Sequence, residues 1–169
     1  MDIMNTSQRP LHFEYLRATA QRLERENHYQ WGHMGFCNCG YLAQEINKLQ
    51  PSVIHNAAMN HSGDWREQLR EYCPISSLPM DQIIVHMEEA GFSIQDLINL
   101  ERLEDQNVLR KAGVSHFRHN HKADVLLYLR AWADLLEEQW TAEQKIETLV
   151  NSSTLETTTS EKFNLPVLV

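Results

Sequence analysis

Positive charge never gathers in this chain. No lysine or arginine run exceeds two residues, and 15 basic side chains face 23 acidic ones for a formal charge of -8. Binding to a phosphate backbone draws on clustered cations and counterion release, so no nucleic-acid partner is expected. Long apolar runs are missing as well. No stretch approaches the roughly 18 apolar residues of a membrane span, and Met1 to Pro10 are polar, without the apolar core of a secretory leader. A cytoplasmic protein with no membrane segment is the expectation. Cysteine is scarce, three in 169 residues, and an odd count in a reducing compartment argues against a disulfide framework. The N-x-Ser/Thr triplets at Asn5, Asn60 and Asn151 carry no weight without a leader.

Several signatures of chemistry are absent too. There is no His-Glu-x-x-His, no Glu-x-x-His pair of a di-iron bundle, no phosphate-binding glycine loop and no Gly-x-Ser-x-Gly. His12-Phe13-Glu14 has the His-x-Glu of zinc deaminases but lacks their Pro-Cys-x-x-Cys partner. Asp64 to Glu67 reads as a capped, solvated helix start, and the pairs Glu88-Glu89 and Glu137-Glu138 as surface residues. Composition is otherwise that of a folded domain, 42% hydrophobic and 22% charged. A chain of this size buries roughly 70% of its unfolded surface, so any metal would serve chemistry or local order.

Apolar periodicity is helical throughout, with no clean alternation except at the far C-terminus. Leu11, Tyr15, Ala18 or Thr19, and Arg22 or Leu23 predict a first helix that ends before His28. Leu42, Ile46 and Leu49 predict a second, with Asn38 as its N-cap and Pro51 as its stop. Val53 to Ala58 and Asp64 to Tyr72 give weaker helical signals. Met80, Ile83, Ile84, Met87 and Ala90 form one face closed by Gly91. Ser93 with Asp96 reads as a capping box, and Asp105 opens a short helix ended by Gly113. Val125, Leu129, Trp132, Leu136 and Trp140 mark a long last helix reaching toward Leu149. The fold class is therefore all-α, a compact multi-helix bundle of about six to eight helices with one long C-terminal helix. Residues 1–150 read as a single helical domain and 151–169 as a Ser/Thr-rich tail. That tail reads as a disordered appendage or, because Phe163, Leu165, Val167 and Val169 alternate as a strand would, as a segment that docks on its own domain or on a partner.

The concentrated feature is Trp31-Gly32-His33-Met34-Gly35-Phe36-Cys37-Asn38-Cys39-Gly40, with two of the three cysteines and half of the six glycines. If Asn38 caps the second helix, Cys37 and Cys39 flank a helix N-terminus, where free N–H groups and the dipole stabilise a thiolate. Glycines able to take positive φ would fold His33 back toward both sulfurs. Nine histidines include His116, His119 and His121 ahead of the long helix. There an imidazolium is disfavoured and a neutral ring stays free to ligate. His33, Cys37 and Cys39, completed by His61, His119 or His121, would form a metal site for zinc, or alternatively iron. An open position on that metal would support hydrolysis.

Two other readings stand beside it. The first is a metal-free interaction or adaptor domain whose acidic helical surface and Leu-rich hairpins bind a protein partner or a second copy as a homo-oligomer. Buried small thiols would then fill a tight interhelical turn. The second is a thiol enzyme with Cys37 or Cys39 as nucleophile and His33 as base. The order from Leu97-Leu100 through Glu104-Asp105, Leu109 and Ala112-Gly113-Val114 to His121-Leu129 resembles the latter half of a sterile alpha motif domain. Over these roughly 35 residues, the resemblance implies a helical interaction surface.

Overall fold

The structure, a computed structural model, describes residues 11–160, with side chains to Ser152. Eight helices fill the described residues: α1 (His12–Arg25), α2 (Asn38–Asn47), α3 (Pro51–Ala58), α4 (Trp65–Glu71), α5 (Pro79–Glu89), α6 (Ile94–Arg102), α7 (Gln106–Ala112) and α8 (Lys122–Ser160). No strand occurs among them. None of the described helices is long and apolar enough to cross a membrane. The chain forms two compact units, one ending at Leu135 and one beginning at Leu136, so the boundary falls inside α8.

In the first unit, α2 packs against α1, α3, α5 and α6. Its residues Asn38 to Gln44 are all buried. Around it lie Leu16, Leu23, Ile54, Trp65, Ile84, Met87, Leu97 and Leu100, each 2% exposed or less. The early part of α8 adds Val125, Tyr128, Leu129, Trp132 and Ala133. Trp132 meets Phe92 edge-on at 5.5 Å between ring centres.

Local signals account for many of the boundaries. Ser93 accepts the Asp96 N–H while Asp96 reaches back to the Ser93 N–H, a complete capping box at α6. Asp64 and Glu67 do the same for α4, and Asp105 caps α7. Gly91 and Gly113 take φ of 104° and 72° at the helix exits, as C-terminal glycines do.

Two details differ from the expected pattern. The buried face of α1 is Phe13, Leu16, Thr19, Ala20 and Leu23 rather than one led by Leu11 and Tyr15. Phe13, Leu16, Ala20 and Leu23 repeat at spacings of three and four, and the better apolar stripe wins the core. On α8 burial stops at Ala133, and Trp140 is 37% exposed although it continues the apolar period. The helix itself runs on to Ser160, through the Ser/Thr-rich stretch. Phe163 to Val169, read either as part of a disordered appendage or as a docking segment, lie outside the described residues.

In the second unit, the described part is helix only. Ile146 and Leu149 on it are 62% and 68% exposed.

Candidate functional site

The segment 28–40 is a tightly bonded turn. The Phe36 and Cys37 N–H groups both donate to His33 O, at 2.9 and 3.0 Å, and the Gln30 N–H donates to Phe36 O at 3.2 Å. Gly32 supplies the positive φ, 88°. Gly35 and Gly40 serve another purpose. A Cβ on Gly35 would fall 2.1 Å from Pro51 O, and one on Gly40 would fall 2.5 Å from Met34 O. Here glycine permits backbone to touch backbone, rather than folding His33 back toward the sulfurs.

Buried side chains then fasten the turn. Trp65 Nε1 donates to Met34 O at 2.8 Å, and Gln44 Nε2 to Gly35 O at 2.7 Å. Cys37, not Asn38, is the N-cap of α2, so Asn38 and Cys39 occupy its first turn. The Asn38 amide reaches three carbonyl oxygens, of Leu100 at 3.2 Å, Glu101 at 3.1 Å and His119 at 3.0 Å. Leu100 and Glu101 belong to the last turn of α6, whose carbonyls have no partner within the helix. Asn38 thus caps one helix while starting another, and its Oδ1 accepts from the Tyr29 hydroxyl at 2.7 Å.

The complementary half of the joint is Glu101. Its Oε2 accepts the Cys39 N–H at 3.1 Å, satisfying a donor that the start of α2 leaves unpaired. Glu101 is 2% exposed. Burial pushes its carboxyl up to about 7, against the pull of the Cys39 N–H and the two thiols. Cys37 and Cys39 are 1% and 0% exposed. Burial first, and the Glu101 carboxylate second, push both thiols well above their ordinary value. The thiolate expected from the helix dipole is not what this setting favours, because loss of water outweighs the dipole. Each sulfur instead lies against a carbonyl, Cys39 Sγ at 3.2 Å from Leu97 O and Cys37 Sγ at 3.8 Å from Met34 O.

The histidines are distributed over several neighbours. His33 stacks on His55 with ring centres 4.0 Å apart. The Gly35 N–H donates to His33 Nδ1 at 3.1 Å, and the Met34 N–H to His55 Nδ1 at 3.2 Å. A neutral ring that accepts at Nδ1 carries its proton on Nε2. Burial and the facing His55 hold His33 below the usual histidine range. His119 lies 4.5 Å from the Trp31 ring, which the Arg102 guanidinium also covers at 5.5 Å. Burial and Arg102 together depress His119. His121 sits at the surface beside Arg118 and Asp124. His61 Nε2 is buried without a hydrogen-bond partner among the described residues. Of the six proposed ligands, Cys37 and Cys39 share a neighbour in Glu101, while His33, His61, His119 and His121 have the separate surroundings just described. Among the described residues no group of three or more His, Cys, Asp or Glu is placed to hold a metal ion.

Glu101, His55 and Trp65 were not singled out from the sequence as parts of this site. Glu101 had one readable sign, its place four residues after Leu97 on the apolar side of α6.

A different kind of site lies where α7 meets α8. A cleft of about 230 Å³ is floored by Ala112, Val114, Phe117, Leu127 and Ala131 and rimmed by Lys111, Arg130 and Asp134. Val114 is 40% and Leu127 55% exposed. Arg130 pairs with Glu24 and Asp134 with Arg17, each at 2.8 Å. Phe117 rests edge-on against Tyr128, which holds that wall in place. A larger cleft of about 350 Å³ between α1 and α2 is polar, lined by Arg22, Arg25, Glu26 and Glu45. The Arg22–Glu45 ion pair at 3.1 Å joins its two walls.

Comparison with models of known protein families, with curated proteins and with solved structures finds no match.

Proposed function

We propose that the chain is a helical protein-interaction module that docks a partner through the α7–α8 cleft, with the glycine-cysteine turn acting as an internal staple. One observation carries the reading: Val114 and Leu127 stand exposed over an apolar floor that Phe117, Ala112 and Ala131 complete. An exposed apolar surface of this kind, rimmed by charge, is what a docking site presents. The order of α6, α7 and α8, on which the resemblance to a sterile alpha motif rests, supports the same reading. A cytoplasmic setting fits three free cysteines that stay reduced.

Metal-assisted hydrolysis at zinc or iron asks for ionised thiols and an unprotonated imidazole nitrogen aimed at the ion. Burial favours the neutral thiols, and the Gly35 N–H occupies His33 Nδ1. A thiol nucleophile asks for a lowered thiol and an approach path, and both sulfurs are buried. The interaction reading needs neither condition.

Its test is site-specific photo-crosslinking from position 127 in cell extract, with exposed Gln95 on α6 as the control position. A protein adduct formed from position 127 and not from 95 is expected. Equal yields from both positions contradict the reading.

A further inference from the structure

Two adjacent peptide N–H groups of the glycine-cysteine turn both end on imidazole nitrogens. The Met34 N–H donates to His55 Nδ1 on α3, and the Gly35 N–H to His33 Nδ1. A histidine nitrogen accepts only while it carries no proton, since both ring nitrogens of the imidazolium are donors. The two rings lie 4.0 Å apart and 14° from parallel, so a charge on either one faces the other across the stack. A third histidine joins through Phe36, against which His28 and His33 both pack with ring centres at 4.2 and 4.7 Å. His55 and His28 are the titratable groups whose charge acts on His33, and neither offers an imidazolium a counter-charge. His33 and His55 are both half-buried, so protons from solvent reach them.

We propose that His33 and His55 form a proton-operated latch: protonation of the pair releases Met34 and Gly35 and uncovers Cys37, while Cys39 stays covered. Cys37 follows the latch because its N–H donates to His33 O at 3.0 Å and its Sγ lies 3.8 Å from Met34 O. Cys39 is tied elsewhere, by its N–H to Glu101 Oε2 and by its Sγ to Leu97 O. That end responds to acid with the opposite sign. Glu101, pushed up to about 7, takes its proton with a gain in stability as the pH falls. The latch bonds are complete above 6.5 and are lost as the pH falls through the lower value that His33 holds. Acid therefore loosens the turn at its His33 end and leaves the α2–α6 joint closed.

Thiol labelling of the full chain with a pyridyl disulfide, which reacts in acid, tests it. A chelator is present, and each cysteine's rate is divided by its rate in the denatured chain at the same pH. From about pH 7.5 to about pH 5, labelling of Cys37 is expected to rise about tenfold or more, while that of Cys39 stays flat. His33→Asn with His55→Asn keeps a side-chain acceptor near each Nδ1 position and takes up no proton, so its Cys37 labelling should not change with pH. His119→Asn, at the other depressed histidine, should leave the acid response intact. Circular dichroism checks the fold of each variant. Where the double variant does not fold, ring-nitrogen NMR of the wild type decides, since His33 and His55 should take up protons over the range in which Cys37 opens. Cys37 labelling that is flat with pH, a rise shared equally by Cys39, or a rise that survives in the double variant would each overturn the proposal. So would a response lost in His119→Asn, or ring titration outside the opening range.

Discussion

A carboxyl group that is 2% exposed, with thiols for neighbours, holds its proton more tightly in the folded chain than in the unfolded one. For Glu101 the rise is from 4.5 to about 7. At roughly 1.4 kcal/mol per unit, this corresponds to about 3 kcal/mol of stability. That contribution is fully present below pH 4.5 and is lost as the pH rises through about 7. His33 and His119 run the other way, since depressed histidines add stability that falls away as the medium turns acid. The Glu101→Gln variant isolates the carboxyl. Urea unfolding should show the wild type losing about 3 kcal/mol relative to Glu101→Gln between pH 4.5 and 8, and a pH-independent difference would contradict the burial of this proton. The thiols give a second residue-scale prediction. Cys73 is half-buried whereas Cys37 and Cys39 are buried, so a thiol reagent should label one cysteine in the native chain and all three only in denaturant. Native labelling of two or three would show that the turn opens.

Elements stabilised by their own neighbours were readable from sequence. The α5 face of Met80, Ile83, Ile84 and Met87, its stop at Gly91, and the caps Ser93 and Asp105 all lie within a turn or two of what they act upon. The glycine-cysteine turn was recognisable as unusual, but its purpose depends on distant partners. Gly35 meets Pro51, and Cys39 meets Glu101, which is 62 residues away in sequence. Nothing near Gly35 announces that contact, so its lack of a side chain looks like freedom when it is a packing requirement. Gly35→Ala should therefore cost at least about 2 kcal/mol in urea unfolding, because a methyl group cannot share space with a carbonyl oxygen. Gly32, whose Cβ would meet nothing within 4 Å, should suffer only the strain of its positive φ. A smaller loss at Gly35 than at Gly32 would mean the turn and α3 are not in contact. The start of α1 departs from its expected stripe for a related reason: Leu11 and Phe13 offer competing stripes and tertiary packing buries the one with Phe13, while Thr19 and Leu23 are buried as expected.

At the scale of the whole molecule, chemistry-bearing residue types and interaction surface are kept apart. Cys37, Cys39, Asn38 and Glu101 bond to one another and to the ends of α2 and α6. The exposed apolar side chains Val114 and Leu127 stand at the α7–α8 cleft, and Ile146 and Leu149 later on α8. A buried staple and apolar side chains left exposed are what the proposed interaction module requires. The competing description makes the same cysteines metal ligands, and the two diverge on what the purified protein contains. Elemental analysis of protein purified without a metal-affinity column separates them, run beside Cys37→Ser and Cys39→Ser. With the turn as a staple, neither zinc nor iron should approach one per chain, and both variants should remain folded. Near-stoichiometric metal in the wild type, lost from both serine variants, would contradict this and return the cysteines to the centre of the protein's function.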